Sequence, residues 1–272
     1  MVAAPSVVGM ETVTSADGTT IALDQLGSGP PLVLVSGASC DRQVDAGLAE
    51  GLAAHFTVLN YDRRGRGDST DTPPYDVRRE IEDLDVLLAA AGGSAVVVGL
   101  SSGGALGALA AAEGLPIGHL VMWEPPYRLD AEGQRAHREY TEALTAALAD
   151  DRRGDAVALF MGMVGMPEEM IAGMRQSPYW AQGEALAPTL AYDTAVMGEG
   201  DVPTDALARI TAPTTVLSGG ASPDWFRESA AAAAAAIPGA GAVVLPGQTH
   251  DIAADVLGSA VRDAVSAYAD RP

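Results

Sequence analysis

Gly99-Leu100-Ser101-Ser102-Gly103 decides the reading of this chain, because it fits Gly-x-Ser-x-Gly and lies between the apolar run Ala95-Val96-Val97-Val98 and a small-residue stretch from Ser102 to Glu113. The run suits a strand buried on both faces, and the stretch after it suits a helix. Small residues at 99 and 103 let the backbone turn sharply, which lifts the Ser101 hydroxyl above the sheet. The amide of Ser102 and the positive end of the following helix then face the place where an acyl oxygen would gain negative charge. In a chain with 31 glycines the pentapeptide alone also fits an ordinary helix-start turn. Its place between strand and helix favours a nucleophile elbow, provided that a histidine and an acid accompany it.

Outward from this turn, strands and helices alternate. Val7 to Leu23 carries Asp17-Gly18 as a hairpin turn. Strands are expected at Pro31 to Val35, Phe56 to Tyr61, His119 to Trp123, Thr214 to Leu217 and Ala242 to Leu245. A helix is read from Val77, Ile81, Leu84 and Leu88, a second from Trp225 to Ala236, and a last one from Val256, Leu257, Ala260, Val261, Ala264 and Tyr268. This order implies an α/β fold with a mainly parallel sheet flanked by helices. Tyr127 to Asp205 interrupts it: helical stretches around Ala131 to Ala149 and Asp155 to Val164, five methionines from Met161 to Met174, and no clear strand. The expected organisation is a core of residues 1–126 and 206–272 with an inserted helical cap of residues 127–205.

Composition narrows the function classes. With 272 residues, 48% of them hydrophobic, the chain can bury one large core. Its net charge of -20 repels polyanions, which argues against nucleic-acid partners. Cys40 is the only cysteine, so no intrachain disulfide and no cysteine metal cluster can form. The first residues lack a basic, then apolar, leader, and no stretch reaches the length of a membrane span, so a cytoplasmic protein without membrane partners is expected. The basic side chains are all arginines, with no lysine, which reflects compositional bias and carries no functional weight.

Four features in order now resemble the alpha/beta-hydrolase family over nearly the whole length. They are Val35-Ser36-Gly37-Ala38, the loop Asp62-Arg63-Arg64-Gly65-Arg66-Gly67-Asp68-Ser69, the Ser101 turn, and Gln248-Thr249-His250-Asp251 after the last strand. The resemblance implies Ser101 as nucleophile, His250 as base, and an oxyanion hole from the backbone amides of Ala38 and Ser102. The family commonly has His-Gly where this chain has Ser36-Gly37, a change that leaves backbone donation possible. His55, His119 and His137 suit structural or solvated roles better than catalysis, and Cys40 suits a small buried apolar role.

The acid has several candidates. In the family it usually follows the seventh strand, where this chain has Ser222, with Asp224 two residues on. Asp224 is equally explained as the cap of a following helix. Glu124 ends the preceding strand before Pro125-Pro126, where some branches of the family place the acid, and it is preferred over Asp224; Asp251, beside the base in sequence, ranks third. Arg63, Arg64 and Arg66 could hold an anionic group, but an architectural role is favoured. Met161, Met163, Met166, Tyr179 and Trp180 are expected to line an acyl pocket, the inner face of the cap being formed by some of these together with Met170.

The resulting expectation is a serine hydrolase acting on a neutral, moderately apolar ester or lactone through an acyl-enzyme, with a small-molecule acyl substrate as partner and neither cofactor nor metal. Acyl transfer, thioester cleavage and C–C hydrolysis would use the same machinery. A non-catalytic ligand-binding protein on the same fold is the reading from another class, motivated by the missing acid at the usual position.

Overall fold

The computed structural model describes residues 8–269; Met1 to Val7, where the leader and the start of the hairpin were considered, lie outside the described residues. Eight strands form one sheet among them: β1 (Val8–Thr14), β2 (Thr20–Leu26), β3 (Pro31–Val35), β4 (Thr57–Tyr61), β5 (Ala95–Leu100), β6 (Ile117–Trp123), β7 (Thr214–Gly219) and β8 (Gly241–Leu245). The order across the sheet is β1-β2-β4-β3-β5-β6-β7-β8. The hairpin pairs antiparallel within itself and onto β4, and every pairing from β4 to β8 is parallel.

Two apolar layers cover the sheet, and the two-residue period of its strands sorts side chains between them. Val33, Val35 and Val97 face one way with Leu84, Leu87 and Leu106, from α2 (Val77–Ala90) and α3 (Ser102–Ala112). Leu32, Leu34, Val96 and Val98 face the other way with Leu52, Leu257 and Val261, from α1 (Ala46–Ala53) and α11 (Ala254–Ala269). Helix α1 leaves no clear mark in the sequence. Two glycines in its eight residues weaken both periodicity and helix propensity, and its helicity rests on packing against α11.

Between β6 and β7 the chain forms helices and no strand. These are α4 (Ala131–Ala149), α5 (Arg153–Met163), α6 (Glu168–Met174), α7 (Trp180–Leu186), α8 (Leu190–Met197) and α9 (Thr204–Leu207), with a 3-10 turn before α8. They have an apolar cluster of their own around Leu144, Ala156, Val157, Ile171, Trp180 and Leu190. Helix α10 (Asp224–Ala236) then packs on β7.

Close approach of α3 to the sheet fixes the central turn. A Cβ at Gly103 would lie 2.3 Å from the Val35 carbonyl oxygen and 2.5 Å from that of Ser36, and one at Gly99 would lie 2.4 Å from the Gly103 carbonyl oxygen. These obstacles are backbone, so no rotamer change relieves them. Gly103→Ala is therefore expected to cost about 1–3 kcal/mol, the usual range for overpacking. A lower urea midpoint against the parent chain would show it, and an unchanged midpoint would mean that α3 can retreat from β3 at no cost.

Candidate active site

Ser101 occupies the turn between β5 and α3 at φ 53°, ψ -122°, a backbone region that costs a non-glycine residue about 1–3 kcal/mol. The surrounding structure holds it there: the Ser101 N–H donates to the Trp123 carbonyl at 2.8 Å. Ser102 is the first residue of α3, so its N–H has no acceptor within the helix. Gly37 packs against the elbow, since a Cβ there would sit 3.2 Å from Ser101 Cβ. The loop that carries Ala38 therefore lies beside the serine.

Glu124 also has positive φ, 44°, immediately after β6, and it is fully buried. Its Oε1 accepts the Gly219 N–H at 2.8 Å, and its Oε2 lies 2.7 Å from His250 Nδ1. Burial works against the charged carboxylate, but the hydrogen bonds from His250 and Gly219 outweigh it and hold Glu124 below the usual carboxylate range. An ionised carboxylate only accepts, so the proton between the two groups sits on Nδ1. In the neutral imidazole that leaves the lone pair on Nε2.

Trp123 joins the three parts. Its carbonyl holds Ser101, its indole N–H donates to the His250 carbonyl at 2.9 Å, and Glu124 follows it in the chain. Phe226 of α10 stacks on the imidazole at 4.6 Å between ring centroids, Trp225 stacks on Phe226, and the Arg128 guanidinium covers Trp225 at 3.9 Å. None of these aromatic residues is among the sequence-predicted site residues. Trp123 could have been suspected as the residue before Glu124; nothing in the sequence pointed to Phe226. Among the described residues the His250 ring bonds Glu124, and no hydrogen bond joins it to Ser101 Oγ.

The other candidates separate from this cluster. Asp224 is 83% exposed at the start of α10 and pairs with Arg227, away from His250. Ser222 is a buried hydroxyl, so the stretch after β7 brings no acid to the histidine. Asp251 is exposed. His119 is buried against Thr215, and His137 bonds the Gly198 carbonyl in the helical insertion. The Cys40 thiol is pushed up to about 12 by burial, aided by nearby Asp45, which leaves it a poor nucleophile.

Arg63 and Arg66 do not point into a binding space. Arg63 forms a two-pronged pair with Glu80 at 2.6 and 2.7 Å, and both arginines reach Asp193 of α8, at 2.6 and 2.7 Å. Arg64 pairs with Asp83 and Asp17. Tyr179, expected in the pocket, is 75% exposed, and Met170 is more than half exposed. Trp180 packs in the apolar cluster of the insertion with Arg175 over its ring, so it supports that unit from within. Met161, Met163 and Met166 are half-buried against the same cluster, which also touches Ala38. Methionine density showed an apolar unit but not which way each side chain turned.

A model of the alpha/beta hydrolase family matches residues 32–264. The chain belongs to the alpha/beta hydrolase family. Among solved structures, an alpha/beta hydrolase from Sphaerobacter thermophilus DSM 20745 is 51% identical, with a TM-score of 0.84 over 93% of this chain and 99% of that one. A hydrolase from Pseudomonas aeruginosa PA01 is 26% identical, with a TM-score of 0.73 over 97% and 99%. An enol-lactonase from Burkholderia xenovorans LB400, 23% identical with a TM-score of 0.63 over 94% and 100%, shares the fold. Among the described residues of this alpha/beta hydrolase, no helix is long and apolar enough to cross a membrane.

Behind the Ser36–Cys40 loop, burial raises the Asp45 carboxyl to about 6, with one of its oxygens lacking a hydrogen-bond partner. An acid with a raised folded-state pKa favours the native state while protonated, and that contribution is lost as pH rises from about 4 through about 6. The shift corresponds to a penalty on the order of 3 kcal/mol at neutral pH. Asp45→Asn, which carries no charge, should therefore gain thermal stability over the parent chain as pH rises from 4.5 to 7.5. A difference in melting temperature independent of pH would show that Asp45 is solvated.

Proposed function

We propose that this alpha/beta hydrolase is a serine hydrolase that cleaves a neutral, moderately apolar ester or lactone through an acyl-enzyme at Ser101. The observation that carries this reading is the Glu124–His250 hydrogen bond of 2.7 Å, formed beside a serine held in a strained turn. Glu124 fixes the imidazole tautomer with Nδ1 protonated, so Nε2 can take the Ser101 proton as the hydroxyl attacks the acyl carbon. The amides of Ala38 and Ser102 would stabilise the tetrahedral oxyanion, with the positive end of α3 adding to their field. Collapse expels the alcohol, protonated by His250; water activated by the same histidine then releases the acid and restores the serine.

Charge supports a neutral substrate. The protein carries a net charge of -20, and Arg63, Arg64 and Arg66 are matched by buried carboxylates, which leaves none of the three to receive a polyanion. The helical insertion of residues 127–205 is read as a lid, with Met161, Met163 and Met166 as adaptable side chains on the apolar cluster that also touches Ala38. The non-catalytic alternative rested on the missing acid at the usual position, and the Glu124–His250 hydrogen bond supports the catalytic reading over it.

Ser101→Ala is expected to lower hydrolysis of short p-nitrophenyl esters by a factor of about a thousand or more and to stop labelling by a fluorophosphonate probe. Near-normal turnover in the folded variant would overturn the mechanism. Glu124→Gln should cost about a thousandfold or more, whereas Asp224→Asn stays close to the parent rate; the reverse ranking would move the acid to the segment after β7. Neutral esters should also be cleaved faster than coenzyme A thioesters of the same acyl chain, and a preference for the thioesters would refute the charge argument.

A further inference from the structure

Asp193 stands in the middle of α8, on the helical insertion, yet its carboxylate is buried against the core. Oδ1 accepts from Arg63 Nη1 at 2.6 Å and from the Ser102 hydroxyl at 2.8 Å, and Oδ2 accepts from Arg66 Nη2 at 2.7 Å. Burial opposes its charge, but the neighbouring Arg66 and Arg63 hold it ionised, below the usual carboxylate range. Arg63 has Glu80 as a second counter-ion, whereas Asp193 is the one carboxylate paired with Arg66 among the described residues.

Arg66 passes this anchoring on. Its Nη1 donates to the Gly37 carbonyl at 2.6 Å and to the Cys40 carbonyl at 3.0 Å. The Gly37 carbonyl and the Ala38 N–H belong to one planar trans peptide, so a bond that fixes the carbonyl fixes the direction of the N–H on its opposite side. A cation on that carbonyl also polarises the N–H and strengthens it as a donor. On the elbow side, the same carboxylate holds the side chain of Ser102, whose amide is the second candidate donor.

We propose that Asp193 is a positioning residue for the oxyanion hole: from α8 it orients Arg66, which pins the Gly37–Ala38 peptide, and it tethers Ser102. The helical insertion then takes part in setting the donors and does more than cover the pocket. This rests on the serine-hydrolase reading, in which the two amides receive the oxyanion.

The test compares Asp193→Asn with the parent chain on p-nitrophenyl acetate, with folding checked by circular dichroism. Removing the charge should lower kcat on the order of 100-fold, within reach of the 10²–10³-fold cost of losing a donor outright. KM should change by less than about threefold, and affinity for a trifluoromethyl ketone, which forms a tetrahedral oxyanion on the serine, should fall in step with kcat. Arg66→Lys keeps a positive charge but cannot span Asp193 and the Gly37 carbonyl together. It should give the same pattern, and it decides the matter if Asp193→Asn does not fold. A folded variant with kcat within threefold of the parent, or with a raised KM and unchanged kcat, overturns the proposal. Ser101→Ala with retained turnover would instead strike the serine-hydrolase reading itself, a result separable from the first.

Discussion

Buried guanidinium groups are the constraint on which much of this molecule depends. The loop after β4 sends Arg63, Arg64 and Arg66 inward, and the loop after β3 sends Arg42 in beside them; each is almost fully excluded from solvent. An unpaired buried charge is so costly that each of these arginines has to be met by a carboxylate in the right place. The hairpin brings Asp17 and Asp24, α2 brings Glu80 and Asp83, the β4 loop itself brings Asp62 and Asp68, and α8 brings Asp193. Replacing the set with apolar side chains could match its stability, but apolar contacts would not dictate register. Ionic partners allow one arrangement of hairpin, helix and insertion around the loop beside Ser101.

This arrangement links structural cost to chemistry. Ser101 and Glu124 both sit at positive φ, each at the end of a central strand. Such backbone persists only where the surroundings over-determine it. For the serine, the Trp123 carbonyl and the packing of Gly99 and Gly103 supply that restraint. For Glu124, the N–H bonds the Leu217 carbonyl of β7, and its carboxylate in turn accepts from Gly219. Parallel pairing of β5, β6 and β7 thus brings both groups to the same edge of the sheet.

How much of this was legible depended on the range of the interaction. Local features were readable: alternating apolar runs gave the sheet, Gly-x-Ser-x-Gly gave the turn, and the lack of a strand from Tyr127 to Asp205 gave the helical insertion. Glu124 could be preferred over Asp224 because a carboxylate ending a central strand reaches the histidine loop, whereas one after a proline has a ready explanation as a helix start. The partners of Arg63 and Arg66 were not readable, since Asp193 lies 130 and 127 positions away and one acidic residue among 36 carries no local mark of burial. Methionine orientation escaped for a different reason. In short, irregularly joined helices the apolar period is too brief to fix which side faces inward, so the exposure of Tyr179, expected in the pocket, left no mark in the sequence.

The histidine occupies the balance point between these two regimes. Its loop after β8 is exposed, and the imidazole itself is 41% accessible, so little burial holds it. What restrains it comes from three separate elements: the Glu124 carboxylate from β6, the Trp123 indole on its carbonyl, and the Phe226 ring from α10 on its face. The carboxylate bond restrains the ring at Nδ1, the stacked ring blocks tilt, and the indole ties down the backbone. Among the described residues Nε2 has no protein hydrogen-bond partner, which suits the proposed exchange of protons with serine, leaving group and water in turn. A histidine buried as deeply as Glu124 would be better fixed, but it would lose the solvent access that the proposed deacylation by water requires.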